Sequence, residues 1–319
     1  MNKRIIPFYL LISTVFYSGC SRVSSDTSSQ TNVTKYDTYK GDLNVVCDAG
    51  LEPIIKQQVE IFSYLYDSIH LKIAYKDEKD VIDDFRLKNT NLVILSRALE
   101  QSEVSSLKEN DTIYTREMPL AFDAVALITN KNFSDSSISL PILKSYFEAS
   151  ADSLNGIRLI FDSESSSAVK FVMKNLGYSE KVHKNVFALK TIDDVINYVS
   201  QSKNAIGFIP YNRISDTDNP SIKELLKRIK VLSLALNGRK GERLYVSANQ
   251  SDIAVGDYPL TRTITAVTRY TYTDNLELLF MGFLTREKGA KIFLKAGLIP
   301  VKMPEREIIV NETGLKAKR

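Results

Sequence analysis

The stretch LIFDSESSSAVKFV, residues 159–172, joins a strand pattern to a helix pattern through a run of small polar residues. The apolar residues end at Phe161, and an acidic, serine-rich segment from Asp162 to Ser167 precedes the helical periodicity. Serine is a preferred N-cap residue, and helix N-termini also attract anions. The junction therefore predicts either a plain helix cap or an anion site made of hydroxyl and amide groups.

Strand and helix patterns alternate on both sides of this junction. Buried strands are predicted at LNVVC (43–47), LKIAYK (71–76) and NLVILS (91–96), with helical periodicity between them. This alternation indicates a parallel α/β sheet. The long apolar stretch at 117–130 predicts a strand that crosses into a second lobe, with a ligand cleft between the two lobes. Hinge motion is expected near 122–126 and 229–232. Asp123, inside the apolar strand, is interpreted either as part of a hinge network or as a ligand contact.

Composition excludes several classes of function. Hydrophobic residues make up 44% of the 319 residues, enough for a substantial core, and 42 basic residues nearly balance 38 acidic ones. No basic patch indicates nucleic-acid binding. His70 and His183 lack partners at metal-ligand spacing, so no metal is expected. The chain also lacks a G-x-S-x-G elbow, a P-loop and a G-x-G-x-x-G motif. We therefore expect no cofactor and no enzymatic activity.

The N-terminus has the pattern of an export signal. Residues 1–19 contain a short basic start followed by an apolar run. The sequence YSGC, residues 17–20, places Cys20 directly after this segment. This ending resembles a bacterial lipobox, although Tyr17 stands where leucine is usual. Cys20 is therefore predicted to be acylated, with ordinary secretory cleavage as the alternative. The Ser/Thr-rich residues 20–41 predict a flexible tether, and Cys47 is predicted to be a buried free thiol.

Several segments in order resemble one known family. The segments are CDAGLEPIIKQQVEIF, LVILSRALEQSE, FDAVALITN, IFDSESSSAVKF, NAIGFIPYN, DYPLTR and FLTREKGAKIFLKAGLIP. Across residues 42–304 the chain resembles PstS-type periplasmic phosphate-binding proteins, the solute receptors of ABC importers. It looks closest to the lipoprotein branch of Bacteroidetes-like bacteria. The resemblance implies the two-lobed type II periplasmic-binding-protein fold and the binding of phosphate or a related oxyanion.

The chain divides accordingly into segments with expected boundaries. These are a signal peptide at 1–19, the tether at 20–41, lobe 1 at 42–125 and 229–304, lobe 2 at 126–228 and a loose tail at 305–319. The protein is expected to be a monomer that is lipid-anchored in the bacterial cell envelope and faces the periplasm. Its expected partners are phosphate or a similar oxyanion, the membrane subunits of an ABC importer and the membrane that holds the anchor.

The resemblance also implies a set of ligand-binding residues. In the first family loop the usual hydroxyl residue is replaced by Leu51, which leaves backbone amides from Gly50 to Glu52 as candidate donors. The second loop, which is glycine- and serine-rich in the family, is acidic here at Asp77 and Glu78. The third loop contains Ser96 and Arg97, where the family pattern is Ser-Asp. The fourth loop contributes Asp162, Ser165, Ser166 and Ser167.

Comparison with the family pattern suggests that two charges have been exchanged. Arg97 stands at the place of the family's aspartate, and Asp162 lies in the loop that carries the family's arginine. One guanidinium and one carboxylate would then remain in the cleft, with Arg97 binding the anion and Asp162 accepting its proton. The alternatives left open are a site for a different ligand, or none. An envelope lipoprotein that uses the same fold for sensing or partner docking is the alternative function, and an envelope enzyme is the third.

Overall fold

The computed structural model describes residues 38–148, 156–178, 186–237, 242–269, 275–305, 308–311 and 314–317. The predicted signal peptide, the predicted acylation site Cys20 and most of the predicted tether lie outside these residues. In the described ranges no helix combines the length and apolar character needed to cross a membrane. Cys47 is buried and free, as predicted, and burial raises the pKa of its thiol well above its ordinary value.

The strand and helix bounds follow the apolar patterns of the sequence. The strands are β1 (Gly41–Asp48), β2 (Ile69–Lys76), β3 (Leu92–Leu95), β4 (Thr115–Asn130), β5 (Ser137–Ser139), β6 (Arg158–Phe161), β7 (Val186–Ala188), β8 (Ala205–Pro210), β9 (Ile229–Val231), β10 (Ser233–Asn237), β11 (Arg243–Val246), β12 (Thr261–Arg269), β13 (Ile299–Pro300), β14 (Ile308–Asn311) and β15 (Gly314–Ala317). The helices are α1 (Glu52–Leu65), α2 (Glu78–Arg86), α3 (Gln101–Asp111), α4 (Leu140–Glu148), α5 (Ser167–Asn175), α6 (Ile192–Gln201), α7 (Pro220–Arg228), α8 (Gln250–Ala254), α9 (Leu276–Thr285) and α10 (Glu287–Lys295).

The long strand β4 joins two halves of one sheet, whose strand order is β2-β1-β3-β12-β4-β8-β6-β7. Residues 115–124 of β4 pair with β12, and residues 125–129 pair with β8. We call the half that contains β1, β2, β3 and β12 lobe 1, and the half that contains β6, β7 and β8 lobe 2. The α/β, two-lobed fold expected from the sequence is confirmed.

Each lobe has one strand, β3 or β8, whose residues are all buried. In lobe 1, β1 pairs in parallel with β2 and β3, and all four residues of β3 are buried. In lobe 2, β6 pairs in parallel with β7 and β8, and every residue of β8 is buried. Full burial explains why β3 and β8 are continuous apolar runs in the sequence.

Two segments differ from the domain boundaries expected above. Strands β9 and β10 pair with β4 at 128–130 and with β5, so residues 229–237 join strands of the lobe 2 region. This pairing favours a boundary between the lobes later than residue 229. At the C-terminus, β14 and β15 form an antiparallel hairpin, whereas the sequence predicts a loose tail there.

Candidate functional site

The carboxyl ends of the parallel strands in the two lobes face each other. In lobe 1, Asp48, Asp77 and Ser96 lie at or just after the ends of β1, β2 and β3. In lobe 2, the segment 162–167 follows β6 directly. The hydroxyl of Ser165 donates a hydrogen bond to Asp77 Oδ2 at 2.6 Å, which connects the two edges. Crevices beside the carboxyl ends of strands are the usual ligand sites of open α/β sheets.

One serine of the cluster caps helix α5, and its neighbours do not. Ser166 is the N-cap residue, and its Oγ accepts a hydrogen bond from the Val169 amide at 3.4 Å. Since a cap needs one hydroxyl, Ser165 and Ser167 remain for other partners. One serine therefore caps the helix, as the first alternative predicts, and two face the opposite lobe; an anion site at these two serines stays a prediction.

Ser167 lies at the meeting point of both lobes. Its Oγ accepts a hydrogen bond from Arg262 Nη1 at 3.0 Å and lies 3.5 Å from Ser96 Oγ. Ser96 in turn donates to Asp48 Oδ2. All four residues are buried. A guanidinium and two hydroxyl groups thus converge at the N-terminus of α5, where the helix dipole adds partial positive charge.

The buried guanidinium of Arg262 is balanced by Asp123. The two residues face each other in register on the antiparallel strands β12 and β4, and they are 3% and 0% exposed. Asp123 Oδ2 accepts from Arg262 Nη2 at 2.9 Å and from Nε at 3.2 Å. Because Nη1 points instead to Ser167, the pair fixes the arginine while leaving one of its nitrogens directed into the cleft.

The turn after β8 ties this ion pair to the start of helix α1. The Asn212 amide donates to Asp123 Oδ1 at 3.1 Å, and Asn212 Nδ2 donates to the Gly50 carbonyl at 3.0 Å. A Cβ at Gly50 would lie 3.1 Å from Pro210 Cγ and 3.8 Å from Arg262 Nη2. Glycine therefore permits the close approach of Pro210 in this turn, while the distance to the arginine is that of an ordinary contact.

The predicted backbone donors at Gly50 to Glu52 are partly engaged within the chain. The Gly50 amide donates to Asp48 Oδ1 at 3.0 Å, and the Glu52 amide donates to the Ala49 carbonyl. Leu51 is fully buried as the N-cap residue of α1. A ligand role for these amides stays a prediction.

Arg97, the predicted anion-binding cation, is bound by two glutamates. Its guanidinium contacts Glu103 through two hydrogen bonds of 2.7 and 2.8 Å and Glu78 through one of 3.1 Å. Burial alone would lower the pKa of Arg97, but the hydrogen bonds and charges of Glu103 and Glu78 outweigh it and raise that pKa. Arg97 thus joins α2 to α3 within lobe 1, and its anion-binding role stays a prediction.

Asp162 carries a buried oxygen that lacks a donor. The residue is 9% exposed, and among the described residues none donates a hydrogen bond to its Oδ1. Burial raises the pKa of Asp162, the Ser166 hydroxyl opposes this effect, and the charges of Asp48 and Asp77 add to the increase. A buried acceptor without a donor is costly, so this oxygen is suited to a ligand that brings a proton.

A groove of about 1200 Å³ extends along the mouth of the cleft. It is lined by Ser96, Ser165 and Ser167 from the site described above, and further out by residues of α3 and α5. Within the described ranges, no group of three or more His, Cys, Asp or Glu side chains is placed to hold a metal ion. Beside these serines the groove is also lined by Arg97, Glu78 and Lys170. Arg262 lines a smaller neighbouring pocket, which Arg97 also lines.

Arg262 was not among the site residues predicted from the sequence. Asp123 stood out only as unusual within an apolar strand, and DYPLTR contributed only to a family resemblance. Arg262 could have been identified as a charged residue in a second, largely buried strand, because it lies in TRTITAVTR. Two opposite charges in buried strands indicate a buried pair, because an isolated one would be too costly.

The fold and the cleft define a two-lobed α/β ligand-binding protein. Residues 25–291 match the PBP superfamily domain, and the chain belongs to this superfamily. A curated relative is the phosphate-binding protein PstS of Pseudomonas aeruginosa, which is 22% identical over 304 residues, or 86% of this chain and 88% of the relative. These matches confirm the resemblance drawn from the sequence motifs.

Solved structures show the same fold. One is a protein assigned as a phosphate ABC transporter substrate-binding protein of Clostridium perfringens, with bound phosphate; its TM-score is 0.67 at 18% identity, covering 82% of this chain and 100% of that one. Another is an ABC-type phosphate transport receptor from Vibrio cholerae, with a TM-score of 0.62 at 16% identity, covering 82% of this chain and 100% of that one.

Proposed function

We propose that this protein is a solute receptor that captures phosphate, or a related oxyanion, and delivers it to an ABC importer. The observation that carries the proposal is the guanidinium of Arg262, held by Asp123 and directed at Ser167 Oγ between the two lobes. A fixed guanidinium with hydroxyl groups and a helix N-terminus is suited to a tetrahedral oxyanion. The names of the relatives from Pseudomonas, Clostridium and Vibrio support phosphate as the ligand.

The proposed ligand contacts are Ser96, Ser167 and Arg262, with Asp162 as acceptor for the ligand's proton. Asp162 Oδ1, which accepts no hydrogen bond from any described residue, supports the last role. At neutral pH phosphate carries a proton that it can donate in a hydrogen bond, whereas sulfate carries no proton. A carboxylate facing sulfate would place two acceptors together in a buried site, and this arrangement strongly disfavours binding. No step in this function requires bond making or breaking, so the protein acts as a receptor and not as an enzyme.

Calorimetric titration with phosphate and sulfate tests this function. We expect the parent protein to bind phosphate at least about tenfold more tightly than sulfate. Asp162→Asn should reduce this preference, because the amide can donate where the carboxylate cannot. Asp193→Asn, the same change on the exposed face of α6, should leave the preference as in the parent. Absence of heat with every oxyanion would refute the receptor function and favour the docking alternative.

A lipid anchor at Cys20 is proposed to hold the receptor at the envelope membrane. The support is the YSGC sequence after an apolar run and the Ser/Thr-rich segment that follows. Acyl chains bind membranes at about 0.8 kcal/mol per buried methylene, and several chains anchor a protein firmly. Cys20→Ala should therefore move the protein from the membrane fraction to the soluble envelope fraction on fractionation. Equal membrane partitioning of variant and parent would contradict acylation.

A further inference from the structure

The carboxylate of Asp77 in lobe 1 binds two hydroxyl groups of lobe 2. Asp77 Oδ2 accepts hydrogen bonds from Ser163 Oγ and from Ser165 Oγ, each at 2.6 Å. The contact crosses the cleft beside Ser167. Both bonds are much shorter than the 3.5 Å approach of Ser167 Oγ to Ser96 Oγ, and their acceptor is charged, which strengthens them.

Asp77 makes this contact instead of a local one. It is the N-cap residue of α2, with extended backbone angles, yet its side chain accepts no hydrogen bond from the helix amides. Aspartate is among the preferred N-cap residues because it normally accepts such a bond. The side chain is therefore directed across the cleft and away from the helix that it begins.

The hydroxyl groups that Asp77 occupies are those that an anion would use. Ser165 belongs to the cluster predicted to bind the ligand, and a serine has a single O–H proton to donate. While the carboxylate holds that proton, a phosphate oxygen cannot. A negative charge at this place would also repel an entering phosphate.

We propose that Asp77 is an internal anion that latches the two lobes together and competes with the ligand for the serine hydroxyls. The proposal rests on the oxyanion receptor function given above. Ligand binding then requires displacement of the carboxylate from the serine hydroxyls. The measured affinity is therefore the intrinsic affinity multiplied by the fraction of molecules in which Asp77 does not hold these hydroxyls. Asp77 thereby sets the anion concentration at which the receptor loads.

Besides the buried hydrogen bond from Arg262 to Ser167, two exposed ion pairs join the lobes and are weaker latches. Lys170 contacts Glu78 at 3.2 Å and Lys174 contacts Glu100 at 2.8 Å, but the two lysine side chains are 46% and 73% exposed. Exposed ion pairs contribute little to a conformational equilibrium. Removal of Asp77 leaves the Arg262–Ser167 hydrogen bond in place, and we expect it to open a measurable fraction of the molecules, not all of them.

The experiment measures lobe separation and phosphate affinity in the same protein. Cysteines are introduced at the exposed positions Leu87 in lobe 1 and Ile142 in lobe 2, and each is spin-labelled. The full chain carries Cys20→Ala, and the buried Cys47 stays unlabelled. Without ligand, Asp77→Ala should shift the distance distribution measured by pulsed electron resonance to longer values. In calorimetry it should bind phosphate about tenfold more tightly, a change of about 1.4 kcal/mol.

Two further variants separate the latch from general effects. Asp80→Ala removes the same charge from an exposed place in the first turn of α2, and it should match the parent in both measurements. Ser163→Ala with Ser165→Ala should open the lobes as Asp77→Ala does, but without the gain in phosphate affinity, because ligand donors are also lost.

The outcomes distinguish this proposal from the receptor function. A ligand-free distance distribution of Asp77→Ala equal to that of the parent overturns the latch. A longer distance with unchanged phosphate affinity overturns the competition. A longer distance in a protein that binds no oxyanion in any form supports the latch and refutes the receptor function.

Discussion

Replacing Asp123 with alanine is expected to lower the free energy of unfolding by about 3 to 5 kcal/mol. The carboxylate balances Arg262, and both side chains are almost fully buried. It also accepts two hydrogen bonds from Asn212. The variant would leave a guanidinium in the interior without a counter-charge, which costs far more than the loss of an exposed pair. Urea unfolding followed by circular dichroism measures the effect.

Two controls determine whether the uncompensated charge is the cause. In the double variant Asp123→Leu with Arg262→Met, both charges are replaced by apolar groups of similar size, and most of the stability should return. Glu287→Ala breaks the exposed pair with Lys291 and should leave the free energy of unfolding close to that of the parent. If the double variant is as unstable as Asp123→Ala, the loss arises from packing or from the Asn212 contacts.

The strands could be predicted because their environment is uniform. β3 and β8 are buried throughout, so an apolar run identifies them without knowledge of their neighbours. Helices α3 and α7 gave no such signal. α3 buries only Leu107, and α7 buries none of its residues. The periodicity of α3 is weak because it covers little of the core. In α7 the apolar residues lie on one face and Leu225 and Leu226 pack against the core, but the helix is short and polar. Neither helix was predicted from the sequence.

The position of the serine cluster at the cleft follows from local sequence, whereas the Arg262–Asp123 pairing depends on distant residues. The ligand-binding roles of the predicted residues stay predictions. Ser167 lies at the cleft because β6 ends at Phe161 and α5 begins at Ser167. Both features are visible in residues 159–172. The choice between Arg97 and Arg262 depends on which carboxylates surround each of them. Asp123 and Arg262 are 139 residues apart, and their pairing becomes evident only when β4 and β12 are placed side by side.

The two arginines give opposite expectations for ligand binding. The double variant Asp123→Leu with Arg262→Met lacks the guanidinium that contacts Ser167. We expect its phosphate affinity to fall at least about 100-fold, since loss of a buried, charged hydrogen-bond partner costs about 2 to 5 kcal/mol. Arg262→Lys keeps the charge but loses the planar fork that reaches Asp123 and Ser167 together, and it should bind phosphate about tenfold more weakly than the parent.

Arg97→Ala is the matched comparison in the same calorimetric titration. The hydrogen bonds of its guanidinium to other side chains go to Glu78 and Glu103, so its removal should loosen the tie between α2 and α3 and weaken phosphate binding by less than about threefold. Far-UV circular dichroism and the unfolding midpoint establish that each variant is folded before it is titrated. A 100-fold loss in Arg97→Ala, with near-parent affinity in the Arg262 variants, would reverse the assignment. In that case the anion is bound by the arginine after β3, as the sequence predicts, and Arg262 serves only to join the lobes through Ser167.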